Sequence, residues 1–238
     1  MNAINVKIAG VVAEISMECR PAVTLYRDFR TKELPAYQII LTDEDIDFSA
    51  VERDPKAKLL IKTPSILGKF SDALLDFDTV LMHGAVLAVE NSAFLFSAPS
   101  GTGKTTHILK WQDHLPKAFV VNGDKPFIKF SEDGTPPLAC GSPWAGKENL
   151  YSNTMVPLKA IILMERAENN RIEPISFAQA FPFLLQQTYR PEDPEKMRKT
   201  LKLMQRLSPA VSFWRFQCNN FKDDCFDVAY NALVGKQP

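Results

Sequence analysis

Residues 97–107, SAPSGTGKTTH, are the most informative stretch of the sequence for the fold. The usual phosphate-binding loop is G-x-x-x-x-G-K-[ST], a glycine-rich turn between a strand and a helix. Counting back five residues from Gly103 places the first glycine of that pattern at position 98, where this chain has Ala98. Alanine costs little there if its φ angle is negative. The stretch predicts a phosphate loop with one changed residue at its entry; a chance run of small residues is the alternative.

Each remaining residue of the loop has its own physical task. Gly101 and Gly103 allow backbone angles that make successive amide hydrogens converge on one point. A helix beginning near Thr105 adds the positive end of its dipole. Lys104 supplies a charge for the β- and γ-phosphates, and Thr105 a hydroxyl for Mg²⁺. The sequence therefore predicts an ATP-type nucleotide site formed by Ser100, Gly101, Thr102, Gly103, Lys104, Thr105 and Thr106.

The flanking sequence supplies the strand and the helix that such a loop needs. Residues 79–89 and 93–97 predict two strands joined as a hairpin around Glu90 and Asn91, and a helix follows from Thr105 to His114. Further on, AFVVNGDKPFIKF (118–130) predicts a strand, a turn and a strand, and residues 158–166 a buried strand. The remaining predicted helices cover residues 64–75, 176–188, the stretch opened by Asp193 and Pro194, and 223–234.

Two side chains near the loop are candidates for chemistry. Asp124 lies 20 residues after Lys104, about one helix and one strand away, which would return it to the loop's side of the sheet. It is a candidate for binding Mg²⁺ or for catalysis, although Asn-Gly before it also suits an ordinary hairpin turn. His83 is either a hydrogen-bonded core residue or a residue of the site, and Gly84 beside it permits close approach of a ligand or backbone.

A third feature is the loop CGSPWAGKENL at 140–150. An exposed turn rarely contains a tryptophan, so the loop is a candidate lid in which Lys147 binds phosphate. The equal alternative is that Trp144 only anchors the loop on the core.

These residues resemble a known family. HGAVLAVENSAFLFSAPSGTGKTT followed by VVNGDKP resembles the C-terminal catalytic domain of HPr kinase/phosphorylase, and more distantly the ATP-dependent phosphoenolpyruvate carboxykinases. The stretches NGDKP, PW-x-GKE-N, PLKAI and Q-T-Y-R-P are similar to a bacterial group of stand-alone HPr-kinase-like proteins, some of which phosphorylate serines of lasso-peptide precursors. The likeness covers roughly residues 78 to 230.

The resemblance implies roles for individual residues. Lys104 and Thr105 would bind phosphate and Mg²⁺, His83 would lie beside the attacking hydroxyl, and Asp124 would match the second of the family's paired aspartates, the proposed general base. The first of the pair falls on Gly123, a departure that leaves one carboxylate where the family uses two. Either Asp124 binds Mg²⁺ with weak base catalysis, or Glu148 supplies the missing carboxylate.

The composition limits the partners and the compartment that are expected for this protein. The chain has 28 Lys+Arg and 28 Asp+Glu, so no overall charge favours nucleic acid or a membrane surface. We find no apolar run long enough to span a bilayer and no cationic leader, and we expect a cytoplasmic protein. The four cysteines are scattered, as in a reducing compartment; Cys218 and Cys225 have the spacing to pair or bind metal, but ordinary packing is favoured.

The sequence as a whole predicts an α/β (α+β) protein with mixed and antiparallel sheets and flanking helices. We expect a β-rich N-terminal region at 1–77, with strands at 4–16, 36–41 and 58–62, and a P-loop catalytic domain at 78–238. The expected activity is an ATP- and Mg²⁺-dependent kinase acting on a hydroxyl of a peptide or protein, with Asp124, His83 and Lys104 as catalytic residues. A regulatory nucleotide-binding protein and a small-molecule kinase are the alternatives, and a homo-oligomer is left open.

Overall fold

The structure is a computed structural model and describes residues 2–17, 23–47, 60–61 and 63–235. Short 3₁₀ helices cover Val23–Phe29, Asp43–Asp45 and Leu75–Phe77. The α-helices of the described residues are α1 Thr63–Leu74, α2 Lys104–His114, α3 Phe177–Gln187, α4 Pro194–Gln205 and α5 Cys225–Leu233. The strands are β1 Asn2–Ile8, β2 Val11–Met17, β3 Tyr37–Ile40, β4 Ile46–Asp47, β5 Leu60–Ile61, β6 Thr79–Leu81, β7 Ala85–Val89, β8 Ser92–Ser97, β9 Phe119–Asn122, β10 Phe127–Lys129, β11 Leu138–Cys140, β12 Met155–Arg166, β13 Arg171–Ile175 and β14 Ser212–Cys218.

A nine-stranded mixed sheet forms the centre of the molecule, with strand order β6-β10-β11-β12-β8-β7-β9 and with β14 pairing β12 and β13 pairing β14. Strand β12 runs parallel to both β8 and β14, whereas β7 is antiparallel to β8 and to β9. Parallel and antiparallel pairs therefore occur in one sheet with helices around it. The mixed α/β class expected from the sequence is confirmed.

The directions of these strands place several chain segments at one edge of the sheet. Strands β8, β9, β12 and β14 all point the same way, so their carboxyl ends meet there. Strand β7 runs the opposite way, so its first residue lies at this edge too. The carboxyl edge of an open sheet is where ligands usually bind in α/β proteins. The fold thus gathers at one edge the residues that precede β7 and follow β8, β9, β12 and β14.

Alternation along the central strands gives the sheet two buried faces. In β7, Ala85 and Leu87 join a core that includes α2 and α5, while Val86 and Ala88 join a core that includes α3 and α4. Because successive strand residues point to opposite faces, a strand covered on both sides is apolar throughout. The helices therefore lie in two layers, with α2 and α5 on one face and α3 and α4 on the other.

The N-terminal region forms a separate three-stranded sheet of β1, β2 and β3. The single strand predicted at 4–16 is wrong: the chain turns at Ala9 and Gly10, whose φ angles are 51° and 73°, and β2 returns antiparallel to β1. The strand predicted at 36–41 is confirmed as β3. Of the strand predicted at 58–62, only Leu60–Ile61 lies within the described residues, where it is β5.

The core of the N-terminal sheet extends beyond that region. Phe29 and Phe70 pack in one cluster with Phe127 and Trp144 from the later part of the chain. The domain division between residues 77 and 78 stays a prediction. Among the described residues, no helix is both long enough and apolar enough to cross a membrane.

Several local signals were predicted correctly, and four strands were missed. The β7–β8 hairpin turns at Glu90 and Asn91, and the side chain of Asp193 caps α4 by accepting from the amides of Glu195 and Lys196, as predicted. The missed strands are β4, β11, β13 and β14.

Candidate functional site

The loop between β8 and α2 has the backbone geometry of a phosphate-binding turn. Gly101 and Gly103 have φ angles of 80° and 109°, in the left-handed region that glycine tolerates best. A Cβ at Gly103 would lie 2.6 Å from the side-chain nitrogen of Asn220. Gly103 also precedes α2 without any side-chain cap, so the first amides of that helix have no side-chain acceptor at the cap. The loop therefore presents backbone donors at the positive end of the helix.

Ala98, the residue that departs from the usual pattern, fits its position. It is fully buried and is not among the described residues with positive φ, so alanine costs little there. Its carbonyl accepts a hydrogen bond of 2.8 Å from Lys104 Nζ. Lys104 thus lies across the loop and is 7% exposed. Burial lowers the pKa of Lys104 from its ordinary value, although the negative charge of Asp124 opposes the shift.

The turn after β9 positions Asp124. The buried side chain of Asn122 accepts hydrogen bonds from the amides of Asp124 and Lys125, at 2.9 and 2.7 Å, and donates to Ser142. The predicted strand–turn–strand is not a hairpin, because the next strand, β10, pairs with β6 and β11 instead of β9. The Asn-Gly pair here directs a carboxylate into the site and does not close a hairpin.

His83 and Asp124 form a hydrogen-bonded pair at the sheet edge. His83 lies in a break between β6 and β7, where a single strand was predicted, and its Nε2 is 3.2 Å from Asp124 Oδ1. Its Nδ1 lies 2.8 Å from Gln187 Oε1, which fixes the ring from the other side. Gly84 is required beside it, since a Cβ there would lie 2.9 Å from the carbonyl oxygen of Phe96.

The environment of Asp124 keeps its carboxyl ionised. Burial alone would raise its pKa, but the hydrogen bond with His83 and the charge of Lys125 outweigh burial, so the pKa of Asp124 lies below its ordinary value. The contacts of this carboxylate with His83 and with Lys125 both use Oδ1. Within the described part of the chain, Oδ2 has no hydrogen-bond partner and remains available to another group.

Gly123 and Gly146 allow the loop at 140–150 to lie directly against Asp124. A Cβ at Gly123 would lie 3.0 Å from the carbonyl oxygen of Ala145, and one at Gly146 would lie 3.1 Å from the Cβ of Asp124. An aspartate at 123 would therefore require this loop to shift. The glycine that replaces the expected first carboxylate is tied to the close packing of the loop.

The loop at 140–150 has features of both alternatives, the lid over the site and the anchor on the core. Trp144 is 4% exposed and packs edge-on against Phe70, with ring centroids 5.1 Å apart, so it anchors the loop on the core. Lys147 and Glu148 are exposed, and both line the cavity beside the phosphate-binding loop. Trp144 therefore anchors the loop, and the tip of the loop, with Lys147 and Glu148, reaches the candidate site.

One cavity of about 460 Å³ brings the predicted residues together. Of the residues predicted from the sequence, Thr102 is absent from its lining, because Thr102 lies on the opposite side of the loop, beside Pro99 and Arg166. The lining residues are His83, Ser100, Gly101, Gly103, Lys104, Thr105, Thr106, Gly123, Asp124, Gly146, Lys147 and Glu148.

Sequence reasoning missed four polar residues that hold this site in place. Asn122 sets the Asp124 turn, and Gln187 fixes the His83 ring. Arg166 donates to the carbonyl of Gly101, and Asn220 donates to that of Gly103 from 117 residues away. Of these four residues, only Asn122 could have been predicted from the sequence, because an asparagine side chain often accepts a hydrogen bond from the backbone amide two residues later.

Comparisons with known proteins give little beyond this geometry. No family model matches the chain, and no curated protein matches it. Among solved structures it is similar to the Hpr(Ser) kinase/phosphatase from Coxiella burnetii, at 12% identity and a TM-score of 0.38, over 64% of this chain and 95% of that one. A likeness of this size carries no statement about function, which has to come from the site itself.

Proposed function

We propose that this protein is an ATP- and Mg²⁺-dependent kinase that transfers the γ-phosphoryl group to a hydroxyl, most simply a serine of a peptide or protein. The observation that carries the proposal is the single cavity shared by the phosphate-binding loop and the His83–Asp124 pair. A loop that binds phosphate and a carboxylate that binds metal or accepts a proton are the two parts that hydroxyl phosphorylation needs.

The donors in this cavity fit a nucleotide triphosphate with a bound divalent cation. The α2 N-terminus, Lys104 and Lys147 supply positive charge for phosphates, and no described residue forms an ion pair with Lys147. The hydroxyl of Thr105 likewise has no hydrogen-bond partner among the described residues. Thr105 and the free Oδ2 of Asp124 are hard oxygen ligands of the kind Mg²⁺ prefers. We therefore propose Thr105 and Asp124 as the metal-binding residues.

The chain's own residues would divide the work as follows. Lys104 and the loop amides hold the phosphates and stabilise the charge that develops during transfer. Asp124 accepts the proton of the attacking hydroxyl, while His83, itself fixed by Gln187, orients that carboxylate. Mg²⁺, held by Thr105 and Asp124, would supply positive charge that neutralises part of the phosphates' negative charge.

The position of Glu148 supports a second carboxylate in the site. Its side chain lines the same cavity as Asp124 and forms no ion pair within the described residues. It lies on the loop whose packing makes an aspartate at Gly123 difficult. We propose that Glu148 supplies part of the charge that the missing aspartate would have provided.

The test is transfer of label from γ-labelled ATP with Mg²⁺ to a panel of serine-containing peptides. We expect labelled peptide with the wild type and none above background with Lys104→Ala. Lys117→Ala is the matched control, because Lys117 is exposed and lies just after the same helix. If Lys104→Ala transfers label as well as the wild type, the assignment of the site is wrong. Label on a small metabolite instead of a peptide would identify a small-molecule kinase.

A nucleotide-binding regulator is the second candidate, and the glycine at 123 favours it. The packing of Ala145 against Gly123 leaves one carboxylate at the end of β9. ATP would then stabilise the protein against heat without turnover on any hydroxyl substrate. Thermal stabilisation by ATP in the wild type, lost in Lys104→Ala, together with no labelled product from any acceptor, would establish this candidate over the kinase.

A further inference from the structure

Behind the phosphate-binding loop lies a buried group of three side chains that the proposed kinase does not use. We call it the dithiol cluster: His107 on α2, Cys218 at the end of β14, and Cys225 at the start of α5. Cys218 is 5% exposed, and the other two are fully buried. The two sulfur atoms are 3.6 Å apart and are not bonded to each other.

Hydrogen bonding decides which proton state His107 has in this cluster. The indole of Trp111 donates to His107 Nε2 at 2.9 Å, so Nε2 carries a lone pair and the neutral ring carries its hydrogen on Nδ1. Nδ1 in turn lies 3.2 Å from Cys225 Sγ, which places an N–H donor against this sulfur.

The same hydrogen bond argues against a metal ion in the cluster. A metal bound at His107 Nδ1 would need the lone pair there and would leave the hydrogen on Nε2. Two N–H groups, those of His107 and Trp111, would then point at each other. The cluster is therefore arranged as a hydrogen-bonded dithiol.

The surroundings of Cys225 favour its thiolate. The hydrogen bond from Cys218 lowers the pKa of the Cys225 thiol, burial opposes this, and the hydrogen bond from His107 lowers the pKa further. Cys225 is also the first residue of α5, where the helix dipole favours negative charge. The paired Cys218 has its pKa raised, first by its hydrogen bond with Cys225.

Asn220 connects this pair to the phosphate-binding loop. Its Oδ1 accepts from Cys218 Sγ and Cys225 Sγ, at 3.4 and 3.3 Å, and also lies 3.3 Å from His107 Nδ1. Its Nδ2 donates to the carbonyl of Gly103 at 3.0 Å, directly before α2. A change at the sulfurs thus reaches the loop through one side chain.

A small molecule can approach the pair from the loop side. Cys218 and Asn220 line a second cavity of about 460 Å³, together with Gly101, Thr102 and Arg166. This cavity lies beside the phosphate-binding loop and reaches Cys218, which is 5% exposed, whereas Cys225 is fully buried.

We propose that Cys218 and Cys225 are a peroxide-sensitive modification site that forms a reversible disulfide and weakens nucleotide binding. The Cys218 thiol loses its proton as its sulfur attacks one peroxide oxygen, the O–O bond breaks, and the other oxygen leaves with that proton as water. Cys225 then gives up its proton and attacks the sulfur of the Cys218 sulfenic acid, forming the S–S bond and releasing the remaining oxygen as a second water. One peroxide and two thiols give a disulfide and two water molecules.

The disulfide removes both sulfur donors to Asn220 Oδ1 and draws Cys218 and Cys225 together. Asn220 then no longer holds the Gly103 carbonyl as it does in the dithiol form. Loss of one such hydrogen bond predicts about a 2- to 10-fold weaker affinity for ATP. This second part of the proposal rests on the proposed nucleotide site, whereas disulfide formation does not.

The first measurement is the mass of the full chain after treatment with hydrogen peroxide. We use Cys19→Ser/Cys140→Ser, which leaves only the proposed pair, beside the wild type. We expect both proteins to lose two hydrogen masses, to regain them with dithiothreitol, and to yield a peptide cross-linked between Cys218 and Cys225. Added oxygen without that cross-link, or stoichiometric zinc bound to the purified wild type, would overturn the proposal.

The second measurement is ATP affinity of the reduced and oxidised forms, with Cys218→Ser and Cys218→Ala as insensitive controls, because they lack the sulfur that attacks peroxide. We expect oxidation to weaken binding in the wild type and to leave both variants unchanged. Equal affinities of the two wild-type forms would overturn the link to the loop. If the reduced protein binds no ATP at all, the proposed function fails, and the mass measurement still decides the disulfide on the wild type alone.

Discussion

The two sides of the phosphate-binding loop differ in exposure and in the use of their polar atoms. On the front side, His83 and Asp124 expose 22% and 32% of their side chains, and Asp124 Oδ2 has no hydrogen-bond partner among the described residues. On the rear side, His107 and Cys225 are fully buried, and every side-chain N and S atom of the dithiol cluster has a partner.

A loop can therefore carry chemistry on one side only. Exposed charges lose little free energy on folding and remain free for a ligand, whereas buried polar groups must be paired within the protein. Changes at the front should therefore alter turnover without altering stability. Changes at the rear should alter stability or loop geometry first.

The largest expected effect is at the front. Asp124→Asn keeps the turn, because Asn122 holds the backbone there, but removes the proton acceptor and a metal ligand. We expect turnover to fall by about 10²- to 10⁴-fold, with the melting temperature close to that of the wild type. Steady-state kinetics with labelled ATP measure the first, and calorimetry the second.

The control for this variant is Asp113→Asn, an exposed aspartate on α2. It should retain full activity. A comparable loss in both variants would mean that overall charge, and not the position of Asp124, determines the rate.

Substituting each of the two histidines compares the two sides of the loop directly. His107→Ala removes a buried, fully hydrogen-bonded ring, and we expect it to lower the free energy of unfolding by about 2 to 4 kcal/mol. His83→Ala should change stability by less than about 1 kcal/mol, yet reduce turnover about 10- to 100-fold because Asp124 loses its orientation. Denaturant unfolding and kinetics on both variants provide the measurements. The reverse pattern would contradict the distinction between the two sides.

Asn220→Ala tests the contact that joins the two sides. Loss of the hydrogen bond to Gly103 should weaken ATP binding about 2- to 10-fold, while turnover at saturating ATP stays the same. Calorimetric titration gives the affinity. Asn231→Ala, an exposed asparagine on α5, serves as the control and should bind ATP like the wild type. Equal affinities for Asn220→Ala and the control would break the proposed connection.

The smallest expected effect is a pH dependence of the front side. The folded pKa of Asp124 is depressed, so its ionised form stabilises the fold above the unfolded pKa of about 4, and this contribution is lost as the pH falls below that value. Since the carboxylate is partly exposed, the contribution should be less than about 1 kcal/mol. Unfolding curves of the wild type and Asp124→Asn should differ slightly at pH 7 and coincide near pH 2. A difference that grows with acidity would have the wrong sign.

Much of the candidate site could be predicted because its signals are local. The glycines at 101 and 103, the lysine that follows and the preceding strand all lie within a few residues of one another. The position of Asp124 followed from the length of one helix and one strand. The two turn residues of the β7–β8 hairpin were also visible in the sequence.

What sequence reasoning missed involves contacts between distant parts of the chain. His83, at the break between β6 and β7, is held by Gln187, which lies on α3. Strand β14, which was not predicted, places Cys218 at the rear of the phosphate-binding loop. The Asn-Gly pair left a hairpin open as an alternative, but the buried side-chain amide of Asn122 donates to Ser142, and the next strand, β10, does not pair with β9.

The phosphate-binding loop follows from the local sequence alone, since left-handed glycines and the start of a helix depend on neighbouring residues. The three-dimensional structure was needed to show that Asp124, His83 and Lys147 share one cavity, and that Cys218 and Cys225 lie behind the same loop. The difference arises from strand direction. Parallel strands bring their carboxyl ends to one edge, and which strands are parallel depends on the packing of the whole sheet.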